Sequence, residues 1–151
     1  MRSHGRSTTI LLVEDNQDHV ILIKKALRDN GLVNDIRVVT TGEHALDYLF
    51  RRGEYADPAS SPPPGLILLD LKLPGIDGME VLKMIKEDAQ LRLIPAVMLT
   101  TSARESEVLA SYSYGVNSYI QKPVDFAKFV DTVRGLRMYW LLLNTPPPPA
   151  W

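Results

Sequence analysis

Three acidic residues, one threonine and one lysine each follow a short apolar segment of the sequence. They are Glu14 and Asp15 after residues 10–13, Asp70 after residues 66–69, Thr100 after residues 96–99 and Lys122 shortly after residues 118–120. The length and the branched side chains of these segments are typical of buried strands. Open parallel sheets bind ligands beyond the carboxyl ends of their strands. We therefore expect the five side chains to meet at one edge of a sheet.

Such a group of side chains favours phosphoryl transfer. Carboxylates a few ångströms apart repel each other by about 1 to 4 kcal/mol per pair, so they stay ionised together only when a cation joins them. Hard oxygen ligands suit Mg²⁺ or Mn²⁺. An ionised aspartate can attack a phosphoryl group and form an acyl phosphate. A cation, a lysine and a hydroxyl then stabilise the oxygens of the group that is transferred.

Short apolar segments alternate along the chain with longer amphipathic ones, which predicts alternating strands and helices. Right-handed connections between parallel strands place helices on both faces of the sheet. The predicted fold is an α/β, flavodoxin-like doubly wound five-stranded parallel sheet, (βα)5, with an extended C-terminal helix and a Pro-rich tail. The predicted strands are residues 10–13, 36–39, 66–69, 96–99 and 118–120, and the predicted helices are a first one that ends near Gly31, then residues 42–52, 79–87, 104–114 and 126–143.

Length and composition indicate one soluble domain, because 151 residues of which 45% are hydrophobic can bury a core without cross-links. The net charge of −1 argues against a nucleic-acid binder. No apolar run approaches the roughly 20 residues of a membrane span. The absence of cysteine excludes thiolate chemistry and fits a cytoplasmic protein. We expect a disordered leader at 1–8, one domain at 9–144 and a Pro-rich tail at 145–151.

The last predicted helix carries more apolar surface than one contact with the sheet would bury. One apolar stripe repeats at helical spacing, and further apolar residues lie on its other faces. We favour a homodimer contact on this helix, with packing against a loop of the same chain as the alternative. The tail that follows is either unstructured or a docking segment. The candidate dimer contacts are Tyr139, Trp140, Leu141 and Leu142.

Four motifs, in this order, resemble those of bacterial two-component response regulator receiver domains. They are LLVED at 11–15, LLDLKLPGIDG at 68–78, PAVMLT at 95–100 and YIQKP at 119–123. More narrowly, the chain looks like the small regulators that partner bacterial and cyanobacterial phytochromes. This second resemblance uses LTTS at 99–102, SYSYGVN at 111–117, the proline-containing loop at 54–65 and Trp140-Leu followed by Asn144 and prolines.

The resemblance implies that Asp70 is the phosphoacceptor. It also implies that Asp15 and Asp70 bind Mg²⁺ or Mn²⁺ through their side chains, Lys72 through its backbone carbonyl and Glu14 through water. Lys72 and Ser102 lie two residues beyond Asp70 and Thr100, where the family tunes the lifetime of the aspartyl phosphate.

A switch is implied in the same way. Thr100 would hydrogen-bond the phosphoryl group and move towards it, and Tyr119 would change its rotamer as Thr100 moves. Lys122 would pair with a phosphoryl oxygen, held by a Lys122–Pro123 bond that the family has in cis. The change would reach the surface formed by the fourth helix and fifth strand, which with the last helix forms the expected homodimer or partner face.

Two smaller features have simpler interpretations. Gly75 and Gly78 are expected to serve the turn before the third helix, where strained backbone excludes larger residues. The isolated histidines, His4, His19 and His44, show no ligand pattern and are expected to face solvent.

The function implied is a stand-alone response regulator, phosphorylated by a sensor histidine kinase that is expected to be a bacteriophytochrome. It would catalyse its own phosphorylation and dephosphorylation and turn over no independent substrate. A haloacid-dehalogenase-type phosphatase is the enzyme alternative, but it needs a second Asp or Thr where this chain has Lys72, and its acidic pair comes last in sequence. A pseudo-receiver usually lacks one of the five chemical residues. A DNA-binding regulator would need an effector domain.

Overall fold

The strands that the structure describes form one parallel sheet. The computed structural model describes residues 9–29, 35–100 and 118–121. Its strands are β1 at Thr9–Val13, β2 at Asp35–Val39, β3 at Leu66–Asp70, β4 at Ala96–Thr100 and β5 at Ser118–Gln121. Their order in the sheet is β2-β1-β3-β4-β5, and every pair is parallel. This order reverses direction at β1, which is the doubly wound arrangement.

The strands extend one residue further than hydrophobicity indicates. Asp70 and Thr100 are the last residues of β3 and β4 rather than the first residues after them. The backbone ladder continues even past Asp70, since the Leu71 amide donates to the Leu99 carbonyl at 2.8 Å. Apolar patterning marks the buried part of a strand, whereas hydrogen bonding sets its end, so polar residues at a strand end remain in the sheet.

Three helices lie in the described ranges: α1 at Gln17–Asp29, α2 at Gly42–Phe50 and α3 at Gly78–Glu87. Side-chain caps begin α2 and α3, because Thr41 and Asp77 accept from the amides of His44 and Glu80. The prediction that the second helix extends to Arg52 is wrong. Arg51 has left-handed backbone angles, φ 56° and ψ 55°, and its position after Phe50 ends α2.

Helices cover both faces of the sheet. On one face, Leu11, Val13, Ile67 and Leu69 pack with α2 and α3, and on the other face alternate strand residues pack with α1. Every residue of β1 and β3 is buried. Each apolar side chain among them contributes about 1.5 to 3 kcal/mol when it is fully removed from water. The two central strands therefore give the carboxyl edge of the sheet a rigid support.

The loop at 54–65 is fixed to α2. The Tyr48 hydroxyl donates to the Pro62 carbonyl at 2.7 Å, and the rings of Tyr48 and Tyr55 are 5.2 Å apart. The buried Ser61 hydroxyl donates to the Tyr55 carbonyl at 2.8 Å. Burial raises the pKa of the Tyr48 hydroxyl to about 12. The loop joins β3 at its amino end, away from Asp70.

Several predicted segments lie outside the described residues. They are the leader at 1–8, the fourth helix at 104–114, the last helix at 126–143 and the tail at 145–151. In the part of the chain that the structure describes, no helix is both long and apolar enough to cross a membrane.

Candidate functional site

Three carboxylates meet at the carboxyl edge of the sheet. Val13 of β1 pairs with Leu69 of β3, so the next residues along these strands, Glu14 and Asp70, are neighbours. Asp15 follows immediately. One carboxylate oxygen from each of the three acids lies within 4.8 Å of the other two. The pairing of β1 with β3 thus brings together Glu14 and Asp70, which are 56 residues apart in the sequence.

The three acids differ in their exposure. Glu14 is 0% exposed and Asp70 is 3% exposed, whereas Asp15 faces solvent. Burial of a carboxylate is costly unless hydrogen bonds or ions compensate its charge. Backbone amides supply part of that compensation: Asn16 donates to Glu14 Oε2 at 3.2 Å, and Lys72 donates to Asp70 Oδ1 at 3.4 Å. Glu14 and Asp70 are thus buried, and Asp15 is the member of the cluster in contact with solvent.

The donor set fits a small divalent cation. All three groups are hard carboxylate oxygens, the ligands that Mg²⁺ and Mn²⁺ prefer over the softer metals. Their separation allows an ion to take some of them directly and others through water, which Mg²⁺ commonly retains. Because Asp15 is exposed, a hydrated ion can reach the cluster from solvent. A cation would also remove the mutual repulsion of three like charges.

The loop after Asp70, residues 71–77, packs closely against the end of β3. The Gly78 amide donates to the Leu71 carbonyl at 2.8 Å, and a Cβ atom on Gly78 would lie 2.2 Å from the Asp70 carbonyl oxygen. Gly75 has a φ of 73°, which favours glycine as expected. Gly78 serves a different purpose from the one predicted: its residue type is required by a close approach of backbones and not by a strained φ.

Of the remaining predicted site residues, some lie in the described ranges and others lie outside them. Thr100 ends β4 one residue beyond Leu99, which pairs with Asp70, and Tyr119 pairs with Met98 in the β4–β5 ladder. These are positions of the backbone. Lys122 follows the last residue of β5 and lies outside the described residues, as do Ser102, Pro123 and the candidate dimer residues Tyr139, Trp140, Leu141 and Leu142.

Two further residues, His19 and Glu43, lie beside this site, and the sequence motifs did not indicate either of them. His19 was expected to face solvent, but its Nδ1 atom is 3.7 Å from Glu14 Oε1 and its side chain is 36% exposed. The signal was the Asn16 side chain, which accepts from the amides of Asp18 and His19 and so begins α1 close to the acids. Glu43 contacts the loop after Asp70 from α2, and no local pattern indicates a contact across 33 residues.

The model of the response regulator receiver domain family matches residues 10–134 of the chain. The chain belongs to this family. Receiver domains are signalling regulators that bind a divalent metal and act with a cognate kinase, and the cluster of Glu14, Asp15 and Asp70 is consistent with such a metal site. The flavodoxin-like parallel sheet covered by helices is the fold expected of a receiver domain.

Similar proteins include small regulators of several systems. The chain is 43% identical over 141 residues to the Probable methanogenesis regulatory protein FilR2 of Methanothrix harundinacea, covering 93% of this chain and 88% of that protein. It is 40% identical over 138 residues to the response regulator Rcp1 of Synechocystis sp., covering 91% of this chain and 92% of Rcp1.

Solved structures agree in fold. The bacteriophytochrome response regulator RtBRR superposes with a TM-score of 0.82 at 46% identity, covering 96% of this chain and 87% of RtBRR. The Mn²⁺-bound form of Rcp1 superposes with a TM-score of 0.72 at 40% identity, covering 89% of this chain and 94% of that one. This receiver is therefore related to phytochrome response regulators.

Proposed function

We propose that this receiver is a stand-alone response regulator that accepts a phosphoryl group on Asp70 from a sensor histidine kinase. The observation that carries this proposal is the enclosure of Asp70, 3% exposed, against Glu14 and Asp15 at the carboxyl edge of the sheet. A carboxylate in this setting remains ionised, and hence nucleophilic, when a cation offsets its neighbours. The chain spans 88% and 92% of its small relatives FilR2 and Rcp1, which supports a single-domain regulator.

The same acids would hold Mg²⁺ or Mn²⁺. Asp15 and Asp70 would bind through their carboxylates, Lys72 through its backbone carbonyl and Glu14 through water. A divalent cation held by these residues would offset the charge of the acids and of a phosphoryl group. The existence of a Mn²⁺-bound form of the related regulator Rcp1 supports a divalent cation in this receiver.

The reaction is a displacement at phosphorus. A carboxylate oxygen of Asp70 attacks the phosphorus of a phosphohistidine, the P–N bond breaks and the imidazole leaves with the bonding electrons. Lys122 would pair with one phosphoryl oxygen and Thr100 would donate a hydrogen bond to another. Dephosphorylation is attack of water on the same phosphorus with cleavage of the P–O bond to Asp70. Lys72 and Ser102 would set the rate at which water attacks.

The phosphorylated state would be transmitted through the backbone neighbours of Asp70. Thr100 ends the adjacent strand, and Tyr119 lies on the next strand beyond it. Movement of Thr100 towards the phosphoryl group would be accompanied by rotation of Tyr119 and a change of the surface on the fourth helix and β5. A cis Lys122–Pro123 bond would direct Lys122 towards Asp70.

The output would be a protein contact in the cytoplasm. We propose a homodimer through the last helix, at Tyr139, Trp140, Leu141 and Leu142, together with the surface of the fourth helix and β5. We also propose a bacteriophytochrome kinase as the phosphoryl donor, because the chain is 46% identical to the bacteriophytochrome response regulator RtBRR. The similarity to FilR2, a methanogenesis regulator by name, makes the donor a point for direct test.

Intact mass after incubation with acetyl phosphate tests the central step. Wild type, Asp70→Asn and the matched control Asp29→Asn are compared with and without Mg²⁺; Asp29 is an exposed acid on α1 paired with Lys25. We expect a gain of one phosphoryl group in wild type and control, dependent on Mg²⁺ and lost in Asp70→Asn. Labelling that persists in Asp70→Asn, or its absence from wild type, would contradict the proposal.

A phosphotransfer assay then identifies the donor class. A phosphorylated bacteriophytochrome kinase and a phosphorylated kinase without a chromophore domain are each mixed with the receiver. We expect rapid transfer from the first and slow transfer from the second. The reverse order would contradict the phytochrome assignment and leave the phosphoacceptor proposal intact.

A further inference from the structure

The first turn of α2 lies against the loop that follows the phosphoacceptor. A Cβ atom on Gly42, the first residue of α2, would lie 2.2 Å from the Ile76 carbonyl oxygen. That oxygen belongs to the backbone, so a side chain at this position would force the helix and the loop apart. Gly42 therefore allows a close contact between α2 and Ile76, near the end of residues 71–77.

Glu43 supplies a polar contact at the same place. Its Oε2 atom accepts from the Ile76 amide at 3.3 Å. Gly75, the preceding residue, has a φ of 73°, and a Cβ atom there would lie 2.5 and 2.7 Å from the two carboxylate oxygens of Glu43. The carboxylate thus rests directly on the Gly75–Ile76 backbone, which is bent in a way that favours glycine.

The ends of the loop are fixed beside Asp70. The Leu71 amide donates to the Leu99 carbonyl at 2.8 Å, and the Gly78 amide donates to the Leu71 carbonyl at 2.8 Å. Between them, the Lys72 amide donates to Asp70 Oδ1 at 3.4 Å. The contact of Glu43 with Ile76 therefore restrains the same short segment whose Lys72 backbone adjoins the acidic cluster.

We propose that Glu43 is a positioning residue for the divalent cation, acting through the loop at 71–77. It sets the place of the Lys72 backbone carbonyl by holding the Ile76 amide, and so it pre-organises the site before the ion arrives. The proposal rests on the proposed function, in which that carbonyl is a metal ligand. Glu43 itself does not touch the reacting groups.

The hydrogen bond and the charge of Glu43 have separable effects. Glutamine keeps a carboxamide oxygen that can accept from the Ile76 amide, whereas alanine removes the acceptor. A single hydrogen bond of this kind changes an equilibrium by about 2- to 10-fold. If Glu43 acts by position, the Mn²⁺ affinity of Glu43→Gln equals that of wild type. If Glu43 instead attracts the cation through its charge, Glu43→Gln and Glu43→Ala lose Mn²⁺ affinity to the same extent.

The test measures Mn²⁺ affinity by titration calorimetry and hydrogen exchange of the Ile76 amide in metal-free protein. Wild type is compared with Glu43→Ala, Glu43→Gln and the control Glu87→Ala, an exposed glutamate at the opposite end of α3. For Glu43→Ala we expect Mn²⁺ binding weaker by about 2- to 10-fold and exchange at Ile76 faster by a similar factor. Glu43→Gln and Glu87→Ala should match wild type in both measurements.

Two results would overturn the inference and leave phosphorylation of Asp70 unaffected. In one, Glu43→Ala binds Mn²⁺ as tightly as wild type does; in the other, Glu43→Gln binds Mn²⁺ as weakly as Glu43→Ala does. Wild type that neither binds Mn²⁺ nor accepts a phosphoryl group would instead overturn the proposed function and the inference with it. The exchange rate of Ile76 needs no bound metal, so it reports on the hydrogen bond to Glu43 in either case, whereas Mn²⁺ binding and phosphorylation of wild type distinguish the two failures.

Discussion

Tyr48 and Pro62 are joined by a hydrogen bond from the tyrosine hydroxyl to the proline carbonyl, at 2.7 Å. This bond attaches the loop at 54–65 to α2, and the ring of Tyr48 is buried behind it. Tyr48→Phe keeps the ring and removes the donor, which leaves the Pro62 carbonyl without this partner. We expect the free energy of unfolding to fall by about 0.5 to 1.5 kcal/mol, measured by urea denaturation. An unchanged midpoint and slope would contradict a stabilising role for the bond.

The raised pKa of Tyr48 leads us to expect a loss of folding stability at alkaline pH. Burial raises the pKa of the Tyr48 hydroxyl to about 12, above the value of about 10 of an exposed tyrosine. The neutral hydroxyl is favoured in the folded state, so its contribution is complete below about pH 10 and is lost as the pH rises through about 12. Urea denaturation across that window should show a steeper decline for wild type than for Tyr48→Phe. Parallel curves for the two proteins would refute the assignment to Tyr48.

Gly78 offers a test of the close packing beneath Asp70. In Gly78→Ala the new methyl group would meet the Asp70 carbonyl, whose oxygen lies 2.2 Å from the ideal Cβ position. We expect a loss of roughly 1 to 3 kcal/mol in the free energy of unfolding, together with slower phosphorylation by acetyl phosphate.

Gly53→Ala is the matched control for that substitution. Gly53 has a φ of 58° and nothing within 4 Å of its Cβ position, so alanine there meets strain but no neighbour. We expect a loss of about 1 kcal/mol with an unchanged rate of phosphorylation. Equal effects of the two substitutions on phosphorylation would exclude a specific role for the contact between Gly78 and Asp70.

Repulsion among the three acids predicts an effect of opposite sign with and without metal. In metal-free protein, Asp15→Asn removes one of three clustered charges and should raise the free energy of unfolding by about 1 kcal/mol. In excess Mg²⁺ the order should reverse, because wild type gains stability from the ion it binds. Urea denaturation in chelator and in Mg²⁺ gives both values, with Asp29→Asn as the control. A gain from Mg²⁺ that is equal in Asp15→Asn and wild type would remove Asp15 from the ligand set.

The last helix gives a prediction about assembly. Trp140→Ala should weaken the proposed homodimer, because a buried tryptophan is a frequent anchor of interfaces. Sedimentation velocity over a range of concentrations measures the change, and Trp151→Ala in the Pro-rich tail is the control of the same residue type. A Trp140→Ala protein that sediments as wild type does would assign the apolar surface to a contact within the chain.

The sequence predicts the sheet and its acidic edge because strands that are buried on both faces consist of apolar residues, and Glu14, Asp15 and Asp70 interrupt that pattern. It does not predict the end of α2, because arginine, the residue at position 51, is not a type that favours a left-handed backbone. It also gives no indication of the contact of Glu43 with Ile76, since their proximity depends on how α2 packs beside α3. The roles of Thr100, Tyr119 and Lys122 stay predictions from family resemblance.

The attachment of the loop at 54–65 to the amino end of β3 has a practical consequence. The full length of the strand, about 13 Å, separates that end from Asp70. The sequence contains no cysteine, and Ala59 lies exposed within the loop. Ala59→Cys would therefore accept a single thiol-reactive fluorophore at the edge of the sheet opposite Asp70. Fluorescence anisotropy of the labelled protein could then measure its binding to a candidate kinase.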